Sequence, residues 1–289
     1  MEVEIVVDAH AVLGEGPIWN PVTERLVWVD IMRSEVHEFD PITSIDSVIQ
    51  IGRHVGTVVP RQCGGLVCAV DDGFVAVDDD GQVTRLAHVE ADIPTNRMND
   101  GKCDSSGRLW AGTMPYDTVS PGVGALYRLD PDLSVHTMLR GITVSNGISW
   151  SLDDTLMYYI DSPTRHVDVF DFDADLGTIS NRRVLIDMTG EIGVPDGMTV
   201  DAEGYLWVAI AGGGQVRRYA PDGRRDRVIK FPASLTSACT FGGPHLTDLY
   251  VTSISLSLSS HDLEKQPHAG GLFRTRPGPR GLPSKAFAG

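Results

Sequence analysis

Three polar residues sit where an ordinary turn has no need of them. Glu15 lies in Leu13-Gly14-Glu15-Gly16-Pro17, Asn146 in Val144-Ser145-Asn146-Gly147, and Asp196 in Val194-Pro195-Asp196-Gly197. Each precedes a glycine, and Asn99-Asp100-Gly101 gives Asn99 or Asp100 the same placement. A lone Asn-Gly or Asp-Gly is an ordinary turn dipeptide. Recurrence at one phase of a repeat is the stronger signal. Two carboxylates converging in a narrow channel repel, and one is forced to protonate. A divalent cation removes that penalty. The donors are all oxygens, which suits calcium, magnesium or manganese, and zinc is also compatible with carboxylates. One divalent cation is the expected cofactor.

For residues so far apart in sequence to meet, the chain must return to one axis repeatedly. Six phrases marked by Gly16, Gly64, Gly101, Gly147, Gly197 and Gly242 each run into a short alternating strand, such as residues 26–30, 73–77, 109–112, 156–160, 206–210 and 249–252. A repeat of roughly 40 to 50 residues carrying several short strands marks a propeller blade. No long stretch sustains a 3.6-residue period, so the chain reads as all-β. The expectation is a six-bladed β-propeller with a central metal channel, a single domain over residues 1–289. Residues 4–7 and 272–275 are strands without a blade of their own, and pairing them in the last blade would close the ring and remove an exposed edge.

The bulk properties exclude several classes. The 289 residues include 39 Asp and Glu against 24 Lys and Arg, a net charge of −15. Such a surface repels phosphate backbones and anionic membranes, so no nucleic acid or membrane partner is expected. No apolar run approaches the roughly 18 residues of a membrane span. The first residues carry acids where a secretory leader has a basic region. Cys63, Cys68, Cys103 and Cys239 show no paired or metal-binding spacing, and unpaired thiols fit a reducing compartment. A cytoplasmic protein, monomer or weak homodimer, is expected. His245, His261 and His268 fall outside the repeat phase and read as surface or packing residues.

The segments Asn96-Arg97-Met98-Asn99-Asp100-Gly101-Lys102, Gly107-Arg108-Leu109-Trp110-Ala111-Gly112-Thr113-Met114, Ser145-Asn146-Gly147, Ile179-Ser180-Asn181-Arg182-Arg183 and Pro195-Asp196-Gly197-Met198 closely resemble the senescence-marker-protein/gluconolactonase family. The likeness runs from Gly14 to the final residues. It implies a six-bladed propeller with one divalent metal in the channel and Glu15, Asn146 and Asp196 as its ligands. By the same resemblance Asn99 would sit beside the metal, Arg97 would hold substrate oxygens, and Asp100 would support its loop. The chain departs from animal members at residues 115–124, where the family's lid-like loop is longer and carries a glutamate that contacts the sugar. Tyr116 or Asp117 is the candidate replacement.

The reading that follows is a metal-dependent lactonase that opens a small-molecule sugar lactone to the aldonic acid, with Asp196 steering or deprotonating the attacking water. Arg97 and Asn99 would orient the ring and the developing oxyanion. Two rivals keep the architecture. Organophosphate hydrolases of the fluorophosphatase type resemble it and use similar oxygen ligands, whereas Arg97 speaks for a polyhydroxylated substrate. A calcium-binding propeller without catalysis would leave Arg97 and the carboxylates without a task.

Overall fold

The computed structural model describes residues 2–117 and 120–289. Within them the chain forms six four-stranded antiparallel sheets around an axis, with one short α-helix, Ser260–Lys265, and one 3-10 turn, Ser162–Thr164. This is the expected six-bladed propeller. The innermost strands are Gly14–Asn20, Val55–Pro60, Asn96–Cys103, Ser145–Trp150, Val194–Val200 and Thr236–Gly242. Each packs against the innermost strand of the next blade, and the last returns to the first. These strands are buried almost throughout. An outermost strand such as Ile45–Gln50, a β-rich run with solvent along one edge, is largely exposed.

Closure takes the expected form. Val3–Val7 pairs antiparallel with Leu272–Thr275, which in turn pairs with Asp248–Ser253, so the last blade is built from both ends of the sequence. The phase of the repeat differs from the glycine count in two blades. Gly64, with Gly65, lies in the hairpin after the innermost strand of the second blade, and Gly242 ends the innermost strand of the sixth. Residues 73–77 are therefore the third strand of their blade. Glycine serves more than one task in a propeller, and only four of the six phrases share a phase.

Blade faces pack through large side chains on the second strands. Trp28, Trp110 and Trp207 are fully buried there. Their indole N–H groups donate to Asp46 (3.2 Å), Asp104 (2.9 Å) and Asp201 (2.8 Å), as a buried indole requires. Asp104 and Asp201 also accept backbone N–H groups from the hairpins that follow them, so one carboxylate ties turn to core.

The C-terminal segment crosses one end of the ring. Ala202 N donates to Arg280 O and Gly281 N to Leu246 O, both at 2.8 Å. Further on, Phe287 exchanges two 2.8 Å backbone bonds with Pro60 and Gln62, and its ring is fully buried. Arg61 Nε then donates to Gly289 O at 2.6 Å. The tail thereby links the fifth and sixth blades to the second.

Candidate functional site in the central channel

All six innermost strands break register near their beginnings, with bulges between Glu15 and Ile18, Val55 and Thr57, Met98 and Gly101, Asn146 and Ile148, Pro195 and Met198, and Thr236 and Cys239. A bulge twists a strand and re-aims the side chain it carries. Glu15, Asn99, Asn146 and Asp196 lie in or beside these bulges. Close approach explains the glycines that follow. A Cβ on Gly147 would stand 2.6 Å from Asp196 O, and one on Gly197 would stand 2.4 Å from Ala238 Cβ. Neither position admits a larger residue.

The four side chains form one buried group with Arg97. Arg97 Nη1 donates to Asn99 Oδ1 at 2.6 Å. Asn99 Nδ2 donates in turn to Asn146 Oδ1 (2.9 Å) and to Ser145 O (2.8 Å). Asn146 Nδ2 donates to Ser162 Oγ at 2.8 Å, and Ser162 donates to Pro195 O at 2.6 Å, beside Asp196. Each amide nitrogen thus has an acceptor, which fixes which atom of each amide is oxygen and where it points.

The carboxylates are the unsettled members. Glu15 and Asp196 are 5% and 6% exposed. Burial pushes the Glu15 carboxyl well above its ordinary value, and the charges of Asp196 and Asp100 push it further. Burial and the Asp100 charge do the same to Asp196, against the Gly197 N–H and Arg97. Glu15 Oε2 accepts from Gly16 N at 3.1 Å, while Asp196 Oδ1 is buried with no hydrogen-bond partner. Burial pulls the Arg97 guanidinium down to about 10, opposed by Tyr116, Glu15 and Asp196. An orphaned carboxylate oxygen, a second desolvated carboxylate and an oriented amide oxygen fit a hard divalent cation with oxygen ligands. Among the described residues no group of three or more His, Cys, Asp or Glu is placed to hold a metal ion, so a cation in the channel would need the Asn146 oxygen as its third protein ligand.

Asp100 does more than brace its loop. Its Oδ1 accepts from Gly101 N at 2.7 Å, and the carboxyl faces Lys102 in the channel interior. Lys102 Nζ donates to Met198 O at 2.8 Å. The sequence drew attention to neither Lys102 nor Ser162, and a lysine three residues beyond Asn99 on the same innermost strand was the available signal.

Of the loop candidates, Tyr116 has a defined partner: its hydroxyl meets His54 Nδ1 at 2.9 Å. The two rings lie 5.5 Å apart, joining the loop of the third blade to the second. The phenol is close enough for its charge to bear on Arg97. Asp117 binds Ser120 through both carboxylate oxygens. Residues 118 and 119 of this loop lie outside the described residues.

The histidines singled out in the sequence stay away from the channel group: His268 pairs with Asp8 at 3.2 Å, His245 offers its backbone oxygen to Arg280, and His261 is exposed on the short helix. Cys68 and Cys239 are buried thiols pushed up to about 12 by desolvation, which leaves them inert packing groups.

A family model described as SMP-30/Gluconolactonase/LRE-like region matches residues 13–255. The chain belongs to this family. It is similar to regucalcin of Xenopus laevis, 40% identical over 297 residues, covering 100% of this chain and 99% of that one. Among solved structures it is similar to a calcium-binding protein, regucalcin, from Agrobacterium tumefaciens, with TM-score 0.94 at 30% identity, covering 98% of this chain and 96% of that one. A luciferin-regenerating enzyme superposes with TM-score 0.93 at 32% identity, covering 99% of both chains. No helix among the described residues is long and apolar enough to cross a membrane.

Proposed function

We propose that this family member is a divalent-metal-dependent hydrolase that opens a sugar lactone to its aldonic acid. The observation that carries the reading is the orphaned, buried Asp196 Oδ1 beside Glu15 and the oriented Asn146 oxygen. Glu15, Asn146 and Asp196 would hold the cation. The relatives' names support both halves of the reading, one family description including gluconolactonase and one solved relative being described as calcium-binding.

A cation bound there supplies Lewis acidity toward a carbonyl oxygen and toward water. The chain's own residues do the rest. Asp196, desolvated and with one oxygen free of protein partners, orients the attacking water and takes its proton. Arg97 commits Nη1 to Met98 O and Asn99 and keeps its other N–H groups for substrate oxygens. A donor aimed at a developing oxyanion is commonly worth about 2.7–4 kcal/mol. Asn99 holds the Asn146 amide in register. Tyr116, tethered by His54, stands beside Arg97 as the counterpart of the family's lid contact.

The polar, hydrogen-bonded channel favours a polyhydroxylated substrate over an apolar phosphotriester. Catalysis gives Arg97 and Asp196 tasks that a purely calcium-binding ring would not set them. We assign the protein to the cytoplasm on its acidic charge and unpaired cysteines. The test is hydrolysis of a panel of aldonolactones by chelator-treated protein, with calcium, zinc, manganese and magnesium restored singly. Turnover restored by a divalent ion supports the reading, and turnover unaffected by chelation, or absent with every ion, overturns it.

A further inference from the structure

A cavity lies along the same channel, beyond the carboxylate group. The candidate ligands occupy the bulges near the beginnings of the innermost strands. This cavity is lined by residues nearer the ends of those strands, including Lys102, Ser149, Trp150, Thr199 and Thr240. Three residues of strand separate Asn146 from Ser149, a rise of about 10 Å. A void of about 10 Å³ beside Asp100 and Lys102, room for one water, lies between the two.

The cavity holds about 190 Å³, below the roughly 300–1,000 Å³ of drug-sized pockets. Its walls carry polar groups that the protein leaves unused. Ser149 and Thr240 line the cavity, and neither hydroxyl has a protein partner among the described residues. Trp150 Nε1 is also buried without a partner, and Lys102 spends a single N–H on Met198 O. A buried donor is rarely left unsatisfied, so the Trp150 N–H calls for an acceptor, and the two hydroxyls and Lys102 can serve the same ligand. The remaining wall, with Ile18, Val200 and Leu282, suits a short carbon chain. Lys102 and Lys285 line the cavity beside one carboxylate, Asp154, while Asp100 offsets Lys102 from behind, so Lys285 is the lining ammonium left for an anion.

Access has a structural basis as well. The tail is pinned at Gly281 and again at Phe287, while the intervening residues make no backbone hydrogen bond. Residues 282–285 roof the cavity and are mostly exposed. The roof is held at its two ends alone.

We propose that this cavity is a binding site for small hydroxylated carboxylates, entered beneath residues 282–285 and separate from the carboxylate group of the channel. The inference rests on the cavity lining, not on the lactonase reading, although an aldonic acid belongs to the same chemical class.

Calorimetric titration with D-gluconate tests it, with neutral D-glucitol as the control for charge and Asp196→Asn as the background that disables the other site. Gluconate should bind wild type and Asp196→Asn within about threefold of each other. Thr240→Val and Lys285→Ala should each weaken binding by about fivefold or more, the scale of one lost hydrogen bond or charge contact. A gluconate-dependent change in tryptophan emission should vanish in Trp150→Phe. The near-isosteric Thr240→Val and the exposed Lys285→Ala should fold normally and keep any lactone turnover. Binding lost in Asp196→Asn but untouched by Thr240→Val and Lys285→Ala overturns the proposal, as does equal binding of glucitol or no binding at all. A gluconate site in a protein without lactonase activity would uphold this site and sink the functional reading.

Discussion

Asn99 Nδ2 donates to Asn146 Oδ1 across the junction of the third and fourth blades, at 2.9 Å. Because Asn146 Nδ2 is held by Ser162, the Asn146 amide cannot flip, and one lone pair of its oxygen remains for a cation. In the proposed site Asn99 would therefore orient a metal ligand as well as contact substrate. Asn99→Ala should weaken divalent-ion affinity by about 10–100-fold, the usual cost of losing a group that orients a ligand. Ion titration followed by calorimetry reads this directly. An unchanged affinity with reduced turnover would confine Asn99 to substrate binding.

Asp196→Asn should lower kcat by about 10²–10⁴-fold, the typical contribution of a positioned base. Asp196→Ala should abolish ion binding and turnover together. Glu15→Gln should reduce ion affinity while leaving the fold intact, because the neutral amide relieves the repulsion that Glu15 shares with Asp196 and Asp100. Metal content by mass spectrometry and steady-state assays separate these effects.

Cation-free protein should lose stability as pH rises. Glu15 and Asp196 have folded-state values raised well above their ordinary 4.5 and 3.8. Protons they retain when folded are released on unfolding, so their favourable contribution is complete below the ordinary carboxylate range and is lost as pH climbs through the raised values. The midpoint of thermal unfolding without ions should fall across that window. Adding a divalent ion should reverse the fall, and Glu15→Gln with Asp196→Asn should flatten it. A flat profile in the unsubstituted protein would contradict the burial of two uncompensated carboxyls.

Phe287→Ala should cost about 3–5 kcal/mol in denaturant unfolding, the range for removing a large aromatic from a packed interior. The ring is fully buried, and its backbone bonds anchor the tail to the second blade. A loss below 1 kcal/mol would show that the tail adds little to the ring.

Tyr116→Phe should raise KM for a polyhydroxylated lactone several-fold while leaving an unsubstituted lactone such as δ-valerolactone nearly unaffected. His54→Ala should do the same by freeing the phenol that it holds at 2.9 Å. Equal losses on both substrates would assign Tyr116 to the fold of the loop.

The central group was legible in the sequence because its residue types are hard to explain otherwise. Glu15, Asn146 and Asp196 stand against glycines where neighbouring strands leave no room for a Cβ, as at Gly147 and Gly197. The composite last blade was legible because residues 4–7 and 272–275 had no other partner. What stayed hidden depends on contacts between blades. Ser162 reaches the group from a short helical turn, His54 meets Tyr116 across 62 positions, and Lys102 points inward by virtue of a bulge. The phase was misplaced in the second and sixth blades because Gly64 and Gly242 answer to a hairpin and to a strand end. The opening strands at Val55 and Thr236 carry no such glycine–acid pair in front of them.

The pairing of Val3–Val7 with Leu272–Thr275 also shapes biogenesis. During synthesis the first strand emerges early and has nothing to pair with until the last one leaves the ribosome. Until both are made the last blade lacks one of its four strands and displays a raw sheet margin. New ends cut into a hairpin on the ring's periphery, with the old ones fused by a short spacer, would give a permutant whose every blade is local in sequence and which should reach the native ring faster.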